Sequence, residues 1–461
     1  MRKASSLWPA VTGRAASCFR PFSGRGAAAR PGLRRTGAAF LPGIVVAVAA
    51  IAALLGLGLS ARAQAVSARP AARDGAWLWV LPNAPGGLRP TQSWHATGAA
   101  PSGDIYIGGM DHATNSALYH LNPRTGALVY VGDARTASRQ AGNLRPGETF
   151  EKFHTRPTWL AGRLYVATMD YSVIDGGYLA HRGSHLYAFD PKAAKLVDVS
   201  ARDPDGVSAP HVSVVTLAAD AARGILYQAA VPTGEILRYD VATNKTVNLG
   251  RPPAYDRPYL YVGRFMWVDS RGQLYFTAGN VAYVNAYDPD IYQHVRFYKP
   301  GAGFGERQDW KLQARHAIET GQCIRGGAVC YLADDQGRVY RFTDEGPTWA
   351  YLGRVTSGTD MTWVFQVSAD GGRAYVVTTG AVPALYEYNL AARTSTRLCA
   401  LRDIDPAFAG YDRHTGYNAW DDRGRFYFAS FASASSPLFG RVNVRVTAID
   451  PVRLKAALRA D

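Results

Sequence analysis

Gly162-Arg163-Leu164-Tyr165-Val166-Ala167-Thr168 is the clearest copy of a phrase that decides the fold of this chain. The phrase is a glycine, any residue, an apolar residue and a tyrosine. It occurs seven times, and the fifth copy carries one extra residue. Successive copies lie 44 to 62 residues apart, close to the roughly 40–50 residues of one propeller blade. The copies end at these tyrosines: Tyr106, Tyr165, Tyr227, Tyr275, Tyr331, Tyr375 and Tyr427.

A second apolar and aromatic run follows each copy and ends in Asp or Asn, as in Leu186–Pro191. Short β-branched and aromatic runs behind a glycine turn predict strands. One small sheet cannot bury both of its faces, whereas radially stacked sheets bury each other. We therefore predict an all-β fold for residues 76–461, a seven-bladed β-propeller of four-stranded antiparallel blades. The run Ala76–Leu81 is expected to complete the last blade, and the repeat tyrosines are expected to pack between blades.

Residues 1–65 predict a targeting segment. They combine basic residues with the apolar stretch Thr36–Leu59 and a small-residue site, Ala63-Gln64-Ala65. This order is typical of a secretory signal peptide cleaved before Val66, and Arg34-Arg35 also permits a twin-arginine route. The stretch is long enough to span a bilayer of about 30 Å, so an uncleaved signal anchor stays an alternative. Residues 66–75 are interpreted as a linker.

Both alternatives place the propeller outside the cytoplasm. The bias toward Ala, Arg and Gly is typical of a high-GC bacterium, which predicts a periplasmic or extracellular protein, with inner-membrane anchoring as the alternative. The charge of +15 comes largely from the leader, which holds nine of the 51 basic residues and none of the 36 acidic ones. Without a Lys/Arg run in the remainder, no nucleic-acid partner is predicted.

Cys323 and Cys330 flank a short loop, and a disulfide between them suits an oxidising compartment. Two buried free thiols are the alternative. Cys399 would stay unpaired, and Cys18 lies in the leader.

Candidate binding residues lie just upstream of the repeat phrase, where the innermost strand of each blade should run. His95, His154 and Arg264 each lie eleven residues before their tyrosine, and His211 and His414 lie slightly further away. Together with Gln366 they form a predicted polar ring around the central channel. Imidazoles converging on an axis can bind a divalent transition metal, for which the candidate ligands are His154, His211, Gln366 and His414. A channel of hydrogen-bonded histidines and ordered water is the alternative.

The second and seventh blades are the richest in functional side chains. Glu151 or Asp170 beside His154 could form an acid–base pair, which with His414 makes four catalytic candidates. A structural ion pair between Arg156 and Asp170 is the alternative. The matched dipeptides His154-Thr155 and His414-Thr415 suggest that both strands face one site. Candidate ligand-binding residues are His95, Arg156, Arg264, Asn418 and Trp420.

The quoted phrase, with His185-Leu186-Tyr187-Ala188-Phe189-Asp190-Pro191, resembles blades of several secreted bacterial propeller families. These are the quinoprotein-like repeats, the SMP-30/gluconolactonase-like group, and the oligogalacturonate lyase and virginiamycin B lyase propellers. An uncharacterised exported propeller family with a His-Thr strand and an Asn-Ala-Trp-Asp strand is the nearest likeness. The lyase propellers imply histidine-rich metal sites on the channel, which His154, His211, Gln366 and His414 could imitate. Lys195-Leu196-Val197 departs from the tryptophan docking motif of quinoprotein blades.

The sequence thus predicts an exported propeller that binds a small polar, carbohydrate-like ligand on its channel face. One alternative is a metal-dependent lyase or hydrolase that uses the histidine-rich channel. Another is a protein-interaction scaffold in the cell envelope, whose partner would be an envelope protein. Membrane contact is expected only through an uncleaved N-terminal segment.

Overall fold

The computed structural model describes residues 65–170, 181–252, 262–278, 294–313, 316–358 and 361–460. All of them belong to one compact unit, Arg62–Asp461. The predicted leader and Cys18 lie outside the described residues. No helix within the described ranges is long and apolar enough to cross a membrane.

Antiparallel sheets of four main strands account for most of this unit, and each contains one copy of the repeat phrase. The last two of them are joined into one nine-stranded sheet by a parallel pairing of Thr362–Val367 with Arg413–Tyr417. We name each sheet after its repeat tyrosine. The first three sheets have a regular antiparallel order, with an extra short strand in the second. The Tyr106 sheet consists of Thr97–Ala99, Ile105–Met110, Ser116–Asn122 and Ala127–Asp133. The Tyr165 sheet consists of Lys152–Phe153, Thr158–Leu160, Arg163–Met169, Leu186–Asp190 and Lys195–Asp198. The Tyr227 sheet consists of Ser213–Asp220, Ile225–Val231, Ile236–Asp240 and Lys245–Asn248.

The following sheets repeat this arrangement. The Tyr275 sheet consists of Trp267–Val268, Leu274–Phe276, His294–Lys299 and Gly303–Lys311. The Tyr331 sheet consists of Ile318–Ile324, Val329–Asp334, Arg338–Thr343 and Thr348–Arg354. The Tyr375 sheet consists of Thr362–Val367, Arg373–Thr378, Ala384–Asn389 and Thr394–Ala400.

The Tyr427 sheet joins both ends of the described chain. Its strands are Arg413–Tyr417, Phe426–Phe431, Arg445–Ile449 and the N-terminal strand Ala76–Val80. Ala76–Val80 pairs antiparallel with Arg445–Ile449, which confirms the predicted role of this run. The segment interpreted as a linker is also bonded to the fold, because Val66 bridges to Leu128 and Arg69–Pro70 pairs with Ala76–Val80.

Few elements of the described residues lie outside these sheets. Two short strands pair with each other, Gly183–Ser184 and Ala209–Pro210. The α-helices are Ala134–Gln140, Leu401–Ile404 and Pro451–Arg459. The 3₁₀ turns are Pro85–Gly87, Val199–Arg202, Pro204–Gly206, Arg325–Gly327 and Pro406–Phe408.

The repeat phrase builds the core. Its tyrosines are buried in six of the seven copies, which confirms their predicted packing role there, and Tyr331 is half-buried. An aspartate before the phrase fixes the turn in several sheets. Asp421, for example, accepts hydrogen bonds from the backbone N–H groups of Arg423 and Arg425 and from the Tyr427 hydroxyl. The repeat phrase therefore forms a tight turn and also places a tyrosine in the core.

Polar side chains bond the innermost strand of one sheet to the next sheet along the chain. The Gln366 amide donates to the Tyr427 carbonyl at 2.8 Å and accepts from the Ala419 N–H at 2.9 Å. Gln322, in the preceding sheet, makes the equivalent pair of hydrogen bonds: its amide donates to the Val367 carbonyl and accepts from the Val367 N–H. These bonds satisfy backbone groups that would otherwise be buried without a partner.

Candidate functional site

The innermost strands bring a cluster of aromatic and charged side chains together. We call it the central cluster: His95, His154, Arg264, Glu319, Trp363 and Tyr417. The His95 ring centroid lies 5.6 Å from that of His154, 5.5 Å from that of Trp363 and 6.0 Å from that of Tyr417. Each residue comes from a different sheet or from the segment leading into it.

Arg264 is the cation of this cluster. Its guanidinium Nη1 lies 2.6 Å from Glu319 Oε2, and its Cζ lies 5.7 Å from the Trp363 ring centroid. The Arg264 carbonyl accepts hydrogen bonds from the Thr216 and Tyr417 hydroxyls. Burial raises the pKa of Glu319 to about 7, although the Arg264 charge opposes this. Arg264 is thus held both through its guanidinium, by Glu319, and through its backbone carbonyl.

The two histidines of the cluster are neutral bases. Burial, followed by the Arg264 charge, holds the pKa of both His95 and His154 well below the usual value for histidine. His154 Nδ1 lies 3.3 Å from the Val215 carbonyl oxygen, so this nitrogen is the donor and Nε2 is the acceptor. Neither ring nitrogen of His95 has a hydrogen-bond partner among the described residues. His95 also has a φ of 55°, a conformation that is uncommon outside glycine and asparagine.

A cavity of about 560 Å³ opens beside the central cluster, and we call it the Lys152 cavity. Its wall combines aromatic side chains with cations and other polar groups: Gln92, Trp94, Asp111, His112, Lys152, His154, Met169, Arg264, Arg413, Ser433, Ala434, Ser435 and Phe439. Lys152 is buried, and its Nζ lies 3.4 Å from His112 Nε2. Burial and then the Arg264 charge lower the pKa of Lys152 to about 7. Burial and the neighbouring Lys152 charge lower the pKa of His112 to about 4.

The acidic candidates of the second sheet lie close together. Asp170 Oδ2 lies 3.2 Å from His181 Nε2 and accepts a hydrogen bond from Thr149. Burial tends to raise the pKa of Asp170, but the hydrogen bonds with His181 and Glu151 outweigh it and hold this pKa far below the usual range. Asp170 is thus an ionised partner of His181.

Arg156 lies at a different place, with its Cζ 5.5 Å from the Tyr417 ring centroid and 5.8 Å from that of Phe265. It contributes to the wall of a second cavity, of about 330 Å³, which Asn418 also lines. Trp420 lines a neighbouring cavity together with Asn418 and packs edge-on against Tyr375 and Phe426. Of the predicted ligand-binding residues, Arg264 therefore lines the Lys152 cavity, whereas Arg156, Asn418 and Trp420 line the two other cavities. His95 belongs to the central cluster.

The four predicted metal ligands do not share one site. His211 is exposed, and its Nδ1 lies 2.9 Å from the His181 carbonyl oxygen. His414 is buried against Phe408 and Phe428 and bonds Ser430; burial lowers its pKa to about 3. Gln366 uses both ends of its amide between sheets. Within the part of the chain that the structure describes, no group of three or more His, Cys, Asp or Glu side chains is placed to hold a metal ion.

His154 and His414 also face different surroundings, because one ring lies in the central cluster and the other packs on the phenylalanines. Cys323 and Cys330 are joined by a disulfide across two paired strands, and Cys399 is free and buried. The sequence left open a disulfide or two buried free thiols for Cys323 and Cys330, and the structure has the disulfide.

Sequence reasoning passed over Lys152, Glu319, Trp363 and Tyr417. A strict use of the tyrosine spacing would have found part of the arrangement. Thr216, which bonds the Arg264 carbonyl, lies eleven residues before Tyr227, and Trp363 and Glu319 lie twelve before their tyrosines. A preference for histidine as a ligand type selects His211 instead of Thr216.

Comparison with solved structures defines the fold class. An oligogalacturonate lyase from Vibrio parahaemolyticus superposes with a TM-score of 0.50 at 11% identity, covering 85% of this chain and 99% of that one. This chain is a β-propeller. A manganese complex of oligogalacturonate lyase (TM-score 0.49, 12% identity, 85% and 99% covered) and the WD40 repeats of RRP9 (0.48, 11%, 83% and 99%) are also similar.

At such identities the likeness shows the fold alone. It confirms the expected resemblance to propellers, including the lyase propellers, at the level of architecture. No protein-family model matches the chain, and no curated protein matches it.

Proposed function

We propose that this chain is an exported seven-bladed β-propeller that binds a small polar, carbohydrate-like ligand in the Lys152 cavity. The observation that carries the proposal is the composition of the cavity wall. Trp94 and Phe439 provide apolar surface, while Gln92, His154 and Arg264 provide hydrogen-bonding groups. A sugar ring has an apolar C–H face and a polar hydroxyl rim, so it needs both kinds of surface at once. The volume of about 560 Å³ lies within the range of small-molecule sites.

The proposed ring of seven blades is supported by bonds that follow the chain order. Thr216 bonds Arg264, and the Thr277 hydroxyl accepts from the Ile318 N–H. The Thr415 hydroxyl donates to the Ser93 carbonyl at 2.8 Å, and so links the Tyr427 sheet to the segment that begins the Tyr106 sheet. Such a return from the last sheet to the first is what ring closure requires.

Isothermal titration calorimetry tests the binding proposal. Purified full-length protein is titrated with a panel of neutral hexoses, uronic acids, amino sugars and their disaccharides. We expect at least one class to bind, and Phe439→Ser to weaken that binding about three- to tenfold through loss of contact area. Phe439 is 45% exposed and Val247 is 51% exposed, so Val247→Ser is the matched control and should bind normally. Absence of binding by every sugar would refute the proposal.

Export is tested separately on the native host or a bacterial expression strain. After cell fractionation, intact-mass analysis should find a chain that begins at Val66 in the periplasm or medium. A membrane-bound chain that retains residues 1–65 would favour the anchor. A cytoplasmic chain with Met1 would refute export.

A further inference from the structure

A second cavity lies further along the same innermost strands, and we call it the Arg156 cavity. On the way through the Tyr165 sheet, His154 lines the Lys152 cavity and Arg156 lines the second one, of about 330 Å³. The chain repeats this order in the Tyr275 sheet, with Arg264 at the Lys152 cavity and Trp267 at the Arg156 cavity. No described residue lines both cavities, so they are separate candidate sites.

Arg156 is the cation of this cavity, and it has no counter-ion. Its half-buried guanidinium makes no hydrogen bond or ion pair with the residues that the structure describes. It is flanked instead by the Tyr417 and Phe265 rings, at 5.5 and 5.8 Å from Cζ to the ring centroids. Burial lowers the pKa of Arg156, and the Tyr417 hydroxyl acts against this shift. Arginine stays charged in proteins, and an enclosed charge without a partner is costly.

The two carboxylates of the wall, Asp220 and Asp269, are held elsewhere. Arg223 Nη1 lies 3.1 Å from Asp220 Oδ2, and Arg271 Nη2 lies 2.6 Å from Asp269 Oδ2. The backbone N–H groups of the same two arginines donate to these carboxylates as well. Each carboxylate is thus bound by its own turn and by an exposed arginine. Neither is a counter-ion of Arg156.

Other N–H groups of this cavity also lack an acceptor. Trp267 is buried, and its indole N–H has no hydrogen-bond partner among the described residues. The half-buried Asn418 side chain makes no hydrogen bond to them either. Most of the remaining wall is apolar, with Trp159, Phe265 and Met266 as its larger side chains. The Arg156 cavity therefore joins polar donors to an aromatic surface.

We infer that the Arg156 cavity is a second binding site, which takes a small organic carboxylate with an apolar body. A guanidinium presents its donors in a planar fork that matches the two oxygens of a carboxylate. The Asn418 amide adds a donor, and the aromatic wall holds the apolar body. The cavity volume of about 330 Å³ is that of a small-molecule site. This site is independent of the sugar site proposed for the Lys152 cavity.

Calorimetry with three acids and their neutral amides tests the inference: phenylacetate, benzoate and hexanoate. Each acid shares its apolar body with its amide, so the pair differs in the charged group. We expect at least one acid to bind about 10- to 100-fold more tightly than its amide, the range of charge-assisted hydrogen bonds. Inorganic phosphate lacks the apolar body and should bind more weakly than that acid. Absence of binding by all three acids, equal affinity for acid and amide, or tighter binding of phosphate would each overturn the inference.

Two variants locate the carboxylate. Arg156→Met should bind the acid no more tightly than the amide. Asn418 has a φ of 52°, so Asn418→Gly keeps this backbone conformation and should weaken the acid about three- to tenfold by loss of one hydrogen bond. Arg397 is exposed and does not line this cavity, so Arg397→Gln is the control for loss of one positive charge. Circular dichroism and melting curves show whether each variant keeps its fold.

Phe439→Ser separates the two cavities. Phe439 lines the Lys152 cavity and not the Arg156 cavity, so this variant should bind the acid as the native protein does. An acid that Phe439→Ser weakens and Arg156→Met does not would lie in the Lys152 cavity and would overturn the second site. A folded Arg156→Met variant with unchanged affinity would also overturn it, and would leave Arg156 with its contacts to the Tyr417 and Phe265 rings alone.

Discussion

Replacing Gln366 with leucine should destabilise the protein without affecting ligand or metal binding. Gln366 is fully buried, and its amide makes two hydrogen bonds to backbone groups, at 2.8 Å to the Tyr427 carbonyl and at 2.9 Å from the Ala419 N–H. Leucine fills a similar volume but leaves both backbone groups without these partners. A buried polar group that loses its partner costs about 1–3 kcal/mol. Two such groups give an expected loss of about 2–6 kcal/mol in the free energy of unfolding.

Urea denaturation followed by tryptophan fluorescence measures this loss as a lower midpoint. Gln228→Leu is the matched control, since Gln228 is equally buried but accepts one hydrogen bond, from Ser208, and its Nε2 has no partner among the described residues. We expect the control to lose no more than about 1 kcal/mol. A Gln366 variant as stable as the control would refute the structural role, and a loss of bound metal on substitution would favour the metal-ligand hypothesis.

Three further outcomes are expected. The carboxylates of Glu148 and Asp198 lie on both sides of buried His185 and raise its pKa despite desolvation. The charged imidazole therefore stabilises the fold fully below about pH 6.5, the pKa of histidine in the unfolded chain. This stabilisation is lost as the pH rises through the folded-state pKa. The melting temperature of the native protein should fall as the pH rises over this range, and the fall should be smaller in His185→Gln. An equal fall in the melting temperatures of both proteins would contradict this. Alkylation without reduction should leave Cys323 and Cys330 unlabelled in intact-mass spectra, and replacing both by alanine should cost about 2.5 kcal/mol, the loop-closure value for a loop of this length; labelling of both thiols in the native protein would show that the bond is absent. Tyr427→Phe removes the 2.8 Å bond to Asp421 and should cost about 1.5–3 kcal/mol in urea denaturation, whereas a neutral result would assign the tyrosine to packing alone.

Much of the fold could be predicted because the repeat phrase encodes local events. A glycine at positive φ, such as Gly162 at 79°, turns the chain, and the alternating residues behind it bury one strand. The N-terminal strand was also predictable, since Ala76–Val80 is an apolar run that precedes the first repeat and the last sheet lacks a strand. The packing of residues 66–75 was not predictable, because it depends on distant partners such as Leu128 and Asp405.

The candidate site was predictable only in part. The tyrosine spacing located His95, His154 and Arg264, which the structure brings together, because equivalent positions in equivalent sheets point the same way. It did not separate His414 from them. Successive residues of a strand point to opposite faces. His414 lies three residues before the cluster residue Tyr417 on the strand Arg413–Tyr417, so it points to the other face and packs on Phe408 and Phe428.

The sequence alone determined the strand-rich repeat, its turns and the buried role of most of its tyrosines, because these depend on neighbours within a few residues. The tertiary structure alone decided which polar residues meet. Glu319 reaches Arg264 across 55 positions, and Lys152 and Arg413 line one cavity although they are far apart in the chain. The physical reason is that the local repeat sets each strand, whereas register and the rotation between sheets set which side chains share a space.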